Sequence, residues 1–262
     1  MTRQPVPTVC ILAGGLGTRL GDSLASQPKC LVKIGDRPFL DYQLELLARH
    51  GVTNVVLCVG HLGDQVEELI GTVRFGITVR YSHDDPGLNG TLGALRKASP
   101  LLGDYFLVLY GDTYLRVDYA GFARDWLASD LAGGMTVLHN RGCWDTSNAV
   151  YSEQVRRVIR YEKGVADPAM EWVDYGLGAL RRESLGVVSE DESDLALLYR
   201  ELAARKELFG FEATQRFFEI GTPAALAETT AFLTGDAESP LLITDEGLPM
   251  GQPTHRPGQD VA

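Results

Sequence analysis

The first half of the chain alternates between short apolar, β-branched runs and stretches with helical spacing, and this alternation narrows the fold more than any other feature. Strand-like runs at residues 8–13, 54–60, 77–81 and 105–110 are separated by helical patterns at 38–50, 61–70 and 91–99. Strands that return with a helix between them build βαβ units, so the expectation is an α/β fold with a mixed, mostly parallel central sheet flanked by helices. Within the first helix Leu40, Leu44 and Leu47 fall at i, i+4 and i+7 beside Ala48, giving one apolar face for the sheet. Gly51 is placed to end that helix in a left-handed turn.

The second half is less regular. Strand-like stretches are expected at 134–139, 148–151, 155–161 and 175–180, followed by a helix over 191–206. Another helix begins at Thr222-Pro223, where threonine can cap and proline suits the first helical position. After Gly235 the sequence becomes Pro/Gly-rich and aperiodic, so residues 235–262 are expected to form a tail beyond a domain over 1–234.

The strand at 8–13 runs into Gly14-Gly15-Leu16-Gly17-Thr18-Arg19, a turn whose backbone N–H groups are little obstructed by side chains. Arg19, Lys29, Lys33 and Arg37 surround it, although the whole chain carries a formal charge of −11. That balance argues against a protein that coats nucleic acid or a membrane surface, and a phosphate ligand must instead meet local cations or a metal. Two familiar phosphate loops are disfavoured. A dinucleotide fingerprint needs a third glycine where Leu20 stands, with Gly21 one place late, and a Walker loop does not occur. Cys10, Cys30, Cys58 and Cys143 are widely spaced without a C-x-x-C pair and are expected to be reduced, packed thiols. The start, MTRQPVPTV, has no apolar segment after Arg3, and no run approaches the roughly 18 apolar residues of a membrane span, so a cytoplasmic location is expected.

The run Leu12-Ala13-Gly14-Gly15-Leu16-Gly17-Thr18-Arg19-Leu20, followed by Pro28-Lys29, resembles the signature of the sugar-phosphate nucleotidyltransferases. The likeness continues through L-V-K-I-G-D-R-P-F-L-D-Y-Q-L and, more thinly, over residues 8–234. It implies a single Rossmann-like nucleotidyltransferase domain, with a nucleotide-binding half at about 8–115 and a sugar-phosphate-binding half at about 116–234. By resemblance, Leu12, Ala13, Gly14, Gly15, Gly17 and Thr18 would cradle the nucleotide, Arg19 would hold the leaving pyrophosphate and Lys29 the α-phosphate. Lys33 and Arg37 have no such match and are expected to be solvated surface charges.

Asp112, at the end of the apolar strand FLVLYGD, resembles the aspartate that holds Mg²⁺ in this family, and Glu219 in Phe218-Glu219-Ile220-Gly221-Thr222 stands where the family has a second aspartate. Glutamate keeps the charge and the oxygen donors but adds a methylene, which shifts the ion or puts water between. Glu162-Lys163 resembles the element that meets sugar hydroxyls and the sugar phosphate, and Asp174 takes the place of a family asparagine. Gly90-Thr91 lies in the base-reading stretch, in a version similar to the guanylyltransferases that act on mannose or heptose phosphates, from which Asn89 and Leu92 depart. Asn148 is either a sugar contact or a turn asparagine. His83 before Asp84-Asp85 can imitate a metal site, but a loop hydrogen bond is expected for it.

The resemblance therefore implies an enzyme that joins a nucleoside triphosphate to a sugar 1-phosphate with Mg²⁺ as cofactor, acting as a monomer or homodimer with neither nucleic acid nor membrane as partner. GDP-heptose or GDP-mannose would be the product type, with uridylyl, cytidylyl or thymidylyl transfer as the alternative. A noncatalytic regulatory protein that binds a nucleotide sugar is the competing reading from another class.

Overall fold

The computed structural model describes residues 5–15, 27–60, 62–84 and 90–235. Strand β1 is Thr8–Leu12, and β2 (Lys33–Ile34) and β3 (Arg37–Pro38) form a small ribbon before helix α1 (Phe39–Arg49). Then follow β4 (Asn54–Val59), α2 (Gly63–Ile70), β5 (Val73–Arg74), β6 (Ile77–His83), α3 (Gly90–Ala98), β7 (Tyr105–Tyr110) and β8 (Thr113–Tyr114). Helix α4 (Tyr119–Ser129) leads to β9 (Gly133–His139), β10 (Ala149–Ser152), β11 (Arg157–Tyr161) and β12 (Trp172–Arg181). Helix α5 (Leu195–Ala204), β13 (Leu208–Ala213), β14 (Phe218–Glu219) and α6 (Pro223–Thr234) complete the described chain.

One ten-stranded sheet, ordered β10-β11-β13-β9-β12-β7-β1-β4-β6-β5, runs through the molecule. Parallel pairing holds for β7, β1, β4 and β6, as the alternation of the first half requires. Antiparallel pairing enters with β12, which lies between β7 and β9, and only β13 and β9 pair in parallel beyond it. β10 also touches β12 through Ala149 and Trp172, which curls the far end of the sheet on itself.

Strands β1, β4 and β7 are near-continuous apolar runs because both of their faces are covered. Their period of two sorts the side chains into two cores. Val9, Ile11, Leu57 and Leu109 face Leu40, Leu44 and Leu47 of α1 and Phe122 and Trp126 of α4. Cys10, Val56, Cys58 and Val108 face Leu92 and Leu95 of α3 and Leu195 and Leu198 of α5. A third, smaller cluster of Val32, Ile34, Phe39 and Ile220 receives Leu226 and Leu233 of α6, so the end of the domain folds back on the segment after Lys29.

Several expectations are corrected. The strand expected from Val155 begins at Arg157, with Val155 exposed in the preceding turn. The helix expected from Asp191 begins at Leu195, because Asp194 is its cap and accepts from the Ala196 N–H at 2.9 Å. Helix α4 and strand β13 had no counterpart in the sequence reading. Arg37 is not a free surface charge: it donates to Glu45 at 2.8 Å and lies 4.5 Å from the Tyr42 ring centroid. Cys10, Cys30 and Cys58 are buried free thiols, whereas Cys143 is exposed rather than packed. His83 ends a strand instead of sitting in a loop, and its Nε2 meets Glu67 Oε2 at 3.2 Å.

Candidate active site at the carboxyl edge of the sheet

The parallel strands β1, β4 and β7 end side by side, and the turns that leave them crowd together. Ala13 N–H donates to Cys58 O at 2.8 Å, and Gly111 N–H donates to Leu12 O at 2.9 Å. A Cβ at Gly111 would lie 3.0 Å from both Ala13 Cα and Leu12 O, so glycine is what lets the β7 turn approach β1 this closely. A cleft of about 270 Å³, partly open to solvent, lies above these turns. Open α/β sheets bind ligands at this edge.

The cleft is lined by Leu12, Ala13, Gly14, Gly15, Lys29, Gly90, Thr91 and Asp112, all singled out from the sequence. An added Cβ at Gly15 would meet no atom of the described residues within 4 Å, so their packing does not demand a glycine there. Gly17, Thr18 and Arg19, the rest of the expected cradle, lie outside the described residues, as do Leu16 and Asn89.

Lys29 follows Pro28 in a single 3-10 turn, Lys29–Leu31, that buries most of its side chain. Its Nζ donates to Asp112 Oδ2 across the cleft. Glu219 reaches the same place through the β8–β14 ladder, in which it pairs with Thr113, while Ile220 N–H donates to Asp112 O at 3.0 Å. From behind, the Thr229 hydroxyl of α6 donates to Glu219 O at 2.6 Å. The position a Cβ would take on Gly221 lies 3.3 Å from Lys29 Nζ and 3.4 Å from Glu219 Oε2, so the ammonium and both carboxylates converge there.

Two carboxylates, one on a short ladder and one in the turn just before it, suit a Mg²⁺ ion, which takes one or two protein carboxylates and completes its shell with phosphate oxygens and water. Among the described residues no cluster of three or more His, Cys, Asp or Glu offers an all-protein metal cage. The donor set therefore fits a metal that is shared with a phosphate ligand.

The second group of sequence candidates assembles beside β7. Asp174 accepts from Gly176 N–H at 2.9 Å and from the Tyr161 hydroxyl at 3.4 Å, and its own N–H donates to Asn148 Oδ1 at 2.8 Å. Asn148 thus has a role neither sequence alternative named: it anchors Asp174, while its carbonyl accepts from Glu162 N–H at 2.8 Å. Burial pushes the Asp174 carboxyl above its ordinary range, opposed by the Gly176 N–H, by the charge of Lys163 and by Tyr161. Tyr110 links this group to the cleft: burial raises its phenol first, with further contributions from Asp174, Asp194 and Asp112.

Thr91 lines the cleft, but its hydroxyl is engaged by the protein, accepting from Leu195 N–H at 2.9 Å and facing Asp194 Oδ1 at 3.4 Å. Gly90 has φ of +60°, and a Cβ on it would fall 2.5 Å from Ser193 O, so the start of α3 is docked on the start of α5. Cys58, Asp84 and Ala94 also line the cleft and were not selected from the sequence. Asp84 could have been found from the parallel order alone, because β6 follows β4 and must end at the same edge.

The Nucleotidyl transferase family model matches residues 8–148. The chain is 35% identical over 108 residues to the D-glycero-alpha-D-manno-heptose 1-phosphate guanylyltransferase of Campylobacter jejuni, a match covering 41% of this chain and 48% of that protein. It is 33% identical over 234 residues to the N-acetylmuramate alpha-1-phosphate uridylyltransferase of Neisseria meningitidis serogroup B, covering 84% of this chain and 96% of that one. The crystal structure of HddC from Yersinia pseudotuberculosis has the same fold, with a TM-score of 0.72 at 24% identity over 87% of this chain and 99% of that one. The chain spans about half the length of the two heptose 1-phosphate guanylyltransferases it matches, 48% and 47%. With a family match that begins at β1 and takes in the glycine turn, Lys29 and Asp112, and a relative aligned almost end to end, the chain belongs to the nucleotidyl transferase family.

Proposed function

We propose that this protein transfers a nucleotidyl group from a nucleoside triphosphate to a sugar 1-phosphate. The observation that carries the reading is the meeting of Lys29, Asp112 and Glu219 beside the bare Gly14-Gly15 backbone at the carboxyl edge of the parallel strands. An oxygen of the sugar phosphate attacks the α-phosphorus in line. A new P–O bond forms, the bond to the bridging oxygen breaks, and that electron pair leaves with pyrophosphate. A phosphate monoester is mostly dianionic near pH 7, its second pKa being about 6, so the nucleophile requires no general base.

Catalysis is then positioning and charge neutralisation. Lys29 leaves Asp112 for the α-phosphate and balances the charge that grows there, and Arg19 holds the leaving pyrophosphate. Asp112 and Glu219 would hold Mg²⁺, which supplies the remaining neutralisation across the phosphates. Lys163 holds the phosphate of the nucleophile, while Glu162 and Asp174 accept from sugar hydroxyls. Both substrates are soluble phosphates, which goes with a cytoplasmic site of action; among the described residues no helix is long and apolar enough to cross a membrane.

The product is of the GDP-heptose or GDP-mannose type, supported by the base-reading stretch and by the relatives named heptose 1-phosphate guanylyltransferases. One observation favours a second reading: the relative aligned over 96% of its length is named a uridylyltransferase. Pyrophosphate release measured with Mg²⁺ for four triphosphates against hexose, heptose and amino-sugar 1-phosphates decides. GTP with a mannose or heptose phosphate is expected to give the fastest release. UTP as the best donor replaces the first reading by the second, and binding without release for every pair supports a regulatory protein instead.

A further inference from the structure

The turn that carries Asp112 is held by a buried amide to which the motifs assign no role. Gln43 lies on α1 beneath the carboxyl end of β7 and is 2% exposed. Its Nε2 donates to Tyr110 O at 2.9 Å and to Thr113 O at 2.6 Å, the two carbonyls that flank Gly111-Asp112. Both partners are acceptors, so the residue must present an NH₂ group; glutamate would offer oxygens only, and asparagine is one methylene shorter. The Thr113 hydroxyl also donates to Tyr110 O at 3.2 Å, closing the turn on itself.

The other end of the amide makes the case sharper. Gln43 Oε1 is buried with no hydrogen-bond partner among the described residues. A buried acceptor left unpaired opposes folding, while an apolar side chain of the same volume would leave the Tyr110 and Thr113 carbonyls without this donor. The amide thus serves the two carbonyls of the turn, and what it fixes is the turn that carries Asp112. Backbone bonds tie the turn to β1 through Gly111 and to β14 through Ile220, and Gln43 supplies the third side, from α1.

We propose that Gln43 is a positioning residue: by gripping both carbonyls of the Asp112 turn, it sets where that carboxylate stands relative to Glu219 and Lys29. The proposal rests on the nucleotidyl-transfer reading, and a displacement of about 1 Å at such a site can lower turnover about 10²-fold.

The test compares Gln43→Met, which keeps the volume and loses the donors, with Gln43→Glu, which also sets a carboxylate against two carbonyls. In both, kcat is expected to fall about 10- to 100-fold while KM for the sugar phosphate changes less than about twofold. Affinity for Mn²⁺, titrated by electron paramagnetic resonance with α,β-methylene GTP present, should weaken at least about tenfold, more in Gln43→Glu than in Gln43→Met. Hydrogen exchange of the peptide spanning residues 106–116 should quicken about tenfold or more, and Gln43→Met, which leaves two carbonyls without this donor, should melt below the parent protein while staying folded at the assay temperature. Unchanged Mn²⁺ affinity and exchange in Gln43→Met overturn the proposal. So does a loss of folding in both variants, or a loss of every activity in proportion to unfolded protein, because Gln43 would then serve only the fold. Exchange needs no turnover, so a parent protein that releases no pyrophosphate sinks the functional reading while leaving the role of Gln43 decidable.

Discussion

The two sides of the sheet build their binding groups in different ways. On the parallel side, between β6 and β7, the cleft is made by strand ends and backbone, with glycines where the main chain must come close and only a few charged side chains. On the antiparallel side, around β11 and β12, the candidate carboxylate is fixed by side chains reaching in from neighbouring segments: Asn148 Oδ1 accepts from the Asp174 backbone N–H, and the Tyr161 hydroxyl donates to the Asp174 carboxylate. The difference follows from topology. Parallel strands all point their carboxyl ends at one edge, so successive crossovers bring turns together there without special residues. Antiparallel neighbours end at opposite edges, so a site among them needs individually fixed side chains and a register shift, here between Asp174 and Gly178.

The largest effect that can break this comparison is expected on the parallel side. Lys29→Ala removes the ammonium that pairs with Asp112 and that the proposed function sets on the α-phosphate, and pyrophosphate release should fall by about 10²–10³-fold, measured in a coupled assay with the folded variant. Wild-type release would remove the phosphate role from this turn.

Next is a pair of glycine substitutions on that side. Gly111→Ala puts a methyl 3.0 Å from Ala13 Cα and Leu12 O, which must move apart, and should destabilise the protein by about 1–3 kcal/mol in thermal unfolding. Gly15→Ala meets no atom of the described residues within 4 Å, so it should leave the melting temperature nearly unchanged and raise KM for the triphosphate. If both variants behave alike, the division between packing glycines and ligand glycines is wrong.

On the antiparallel side Asp174 gives a pH-dependent effect. Burial raises its pKa in the folded state, so the folded protein holds the proton more tightly than the unfolded chain does. Its contribution to stability is therefore best below the ordinary carboxylate range, about pH 4, and is lost as pH rises through the raised folded value. Asp174→Asn should melt at a higher temperature than the parent at pH 7 to 8, with the gap closing as pH falls, and should raise KM for the sugar phosphate. A variant less stable than the parent at neutral pH would show that Asp174 is held by its charge and not against it.

The smallest effect belongs to Arg37, which sequence proximity sets near the glycine turn but which pairs with Glu45 at a partly exposed site. Arg37→Ala should change stability by less than about 1 kcal/mol and leave turnover within about twofold of the parent. A large loss of turnover would return Arg37 to the phosphate site.

The legible parts of the fold were those whose local pattern and tertiary environment agree. Strand β7 was read over its full length because both its faces are apolar, and α1 because its leucines repeat on one face. Helix α4 was missed although Tyr119, Phe122, Ala123 and Trp126 are buried at helical spacing. Gly121 disguised it, and its reason is spatial: a Cβ there would meet the capping carboxylate of Asp118 at 2.3 Å. Strand β13 was hidden in the same way by Gly210, where a Cβ would lie 2.3 Å from the Tyr151 ring. In the site, Lys29, Asp112 and Glu219 could be named from motifs, but the ladder that joins the carboxylates is made of two-residue strands with no pattern to read.

The sequence by itself determined the α/β class, the glycine turn and the kinds of charged groups that surround it, because periodicity, composition and short motifs are written along the chain. Only the tertiary structure decided that Asn148 anchors Asp174, that the Thr91 hydroxyl accepts from Leu195 N–H at the start of α5, and that Gln43 grips the Asp112 turn. Those contacts join residues separated by 26, 104 and 67 positions. Pairing at such distances depends on where the sheet and helices carry each backbone, which no local pattern encodes.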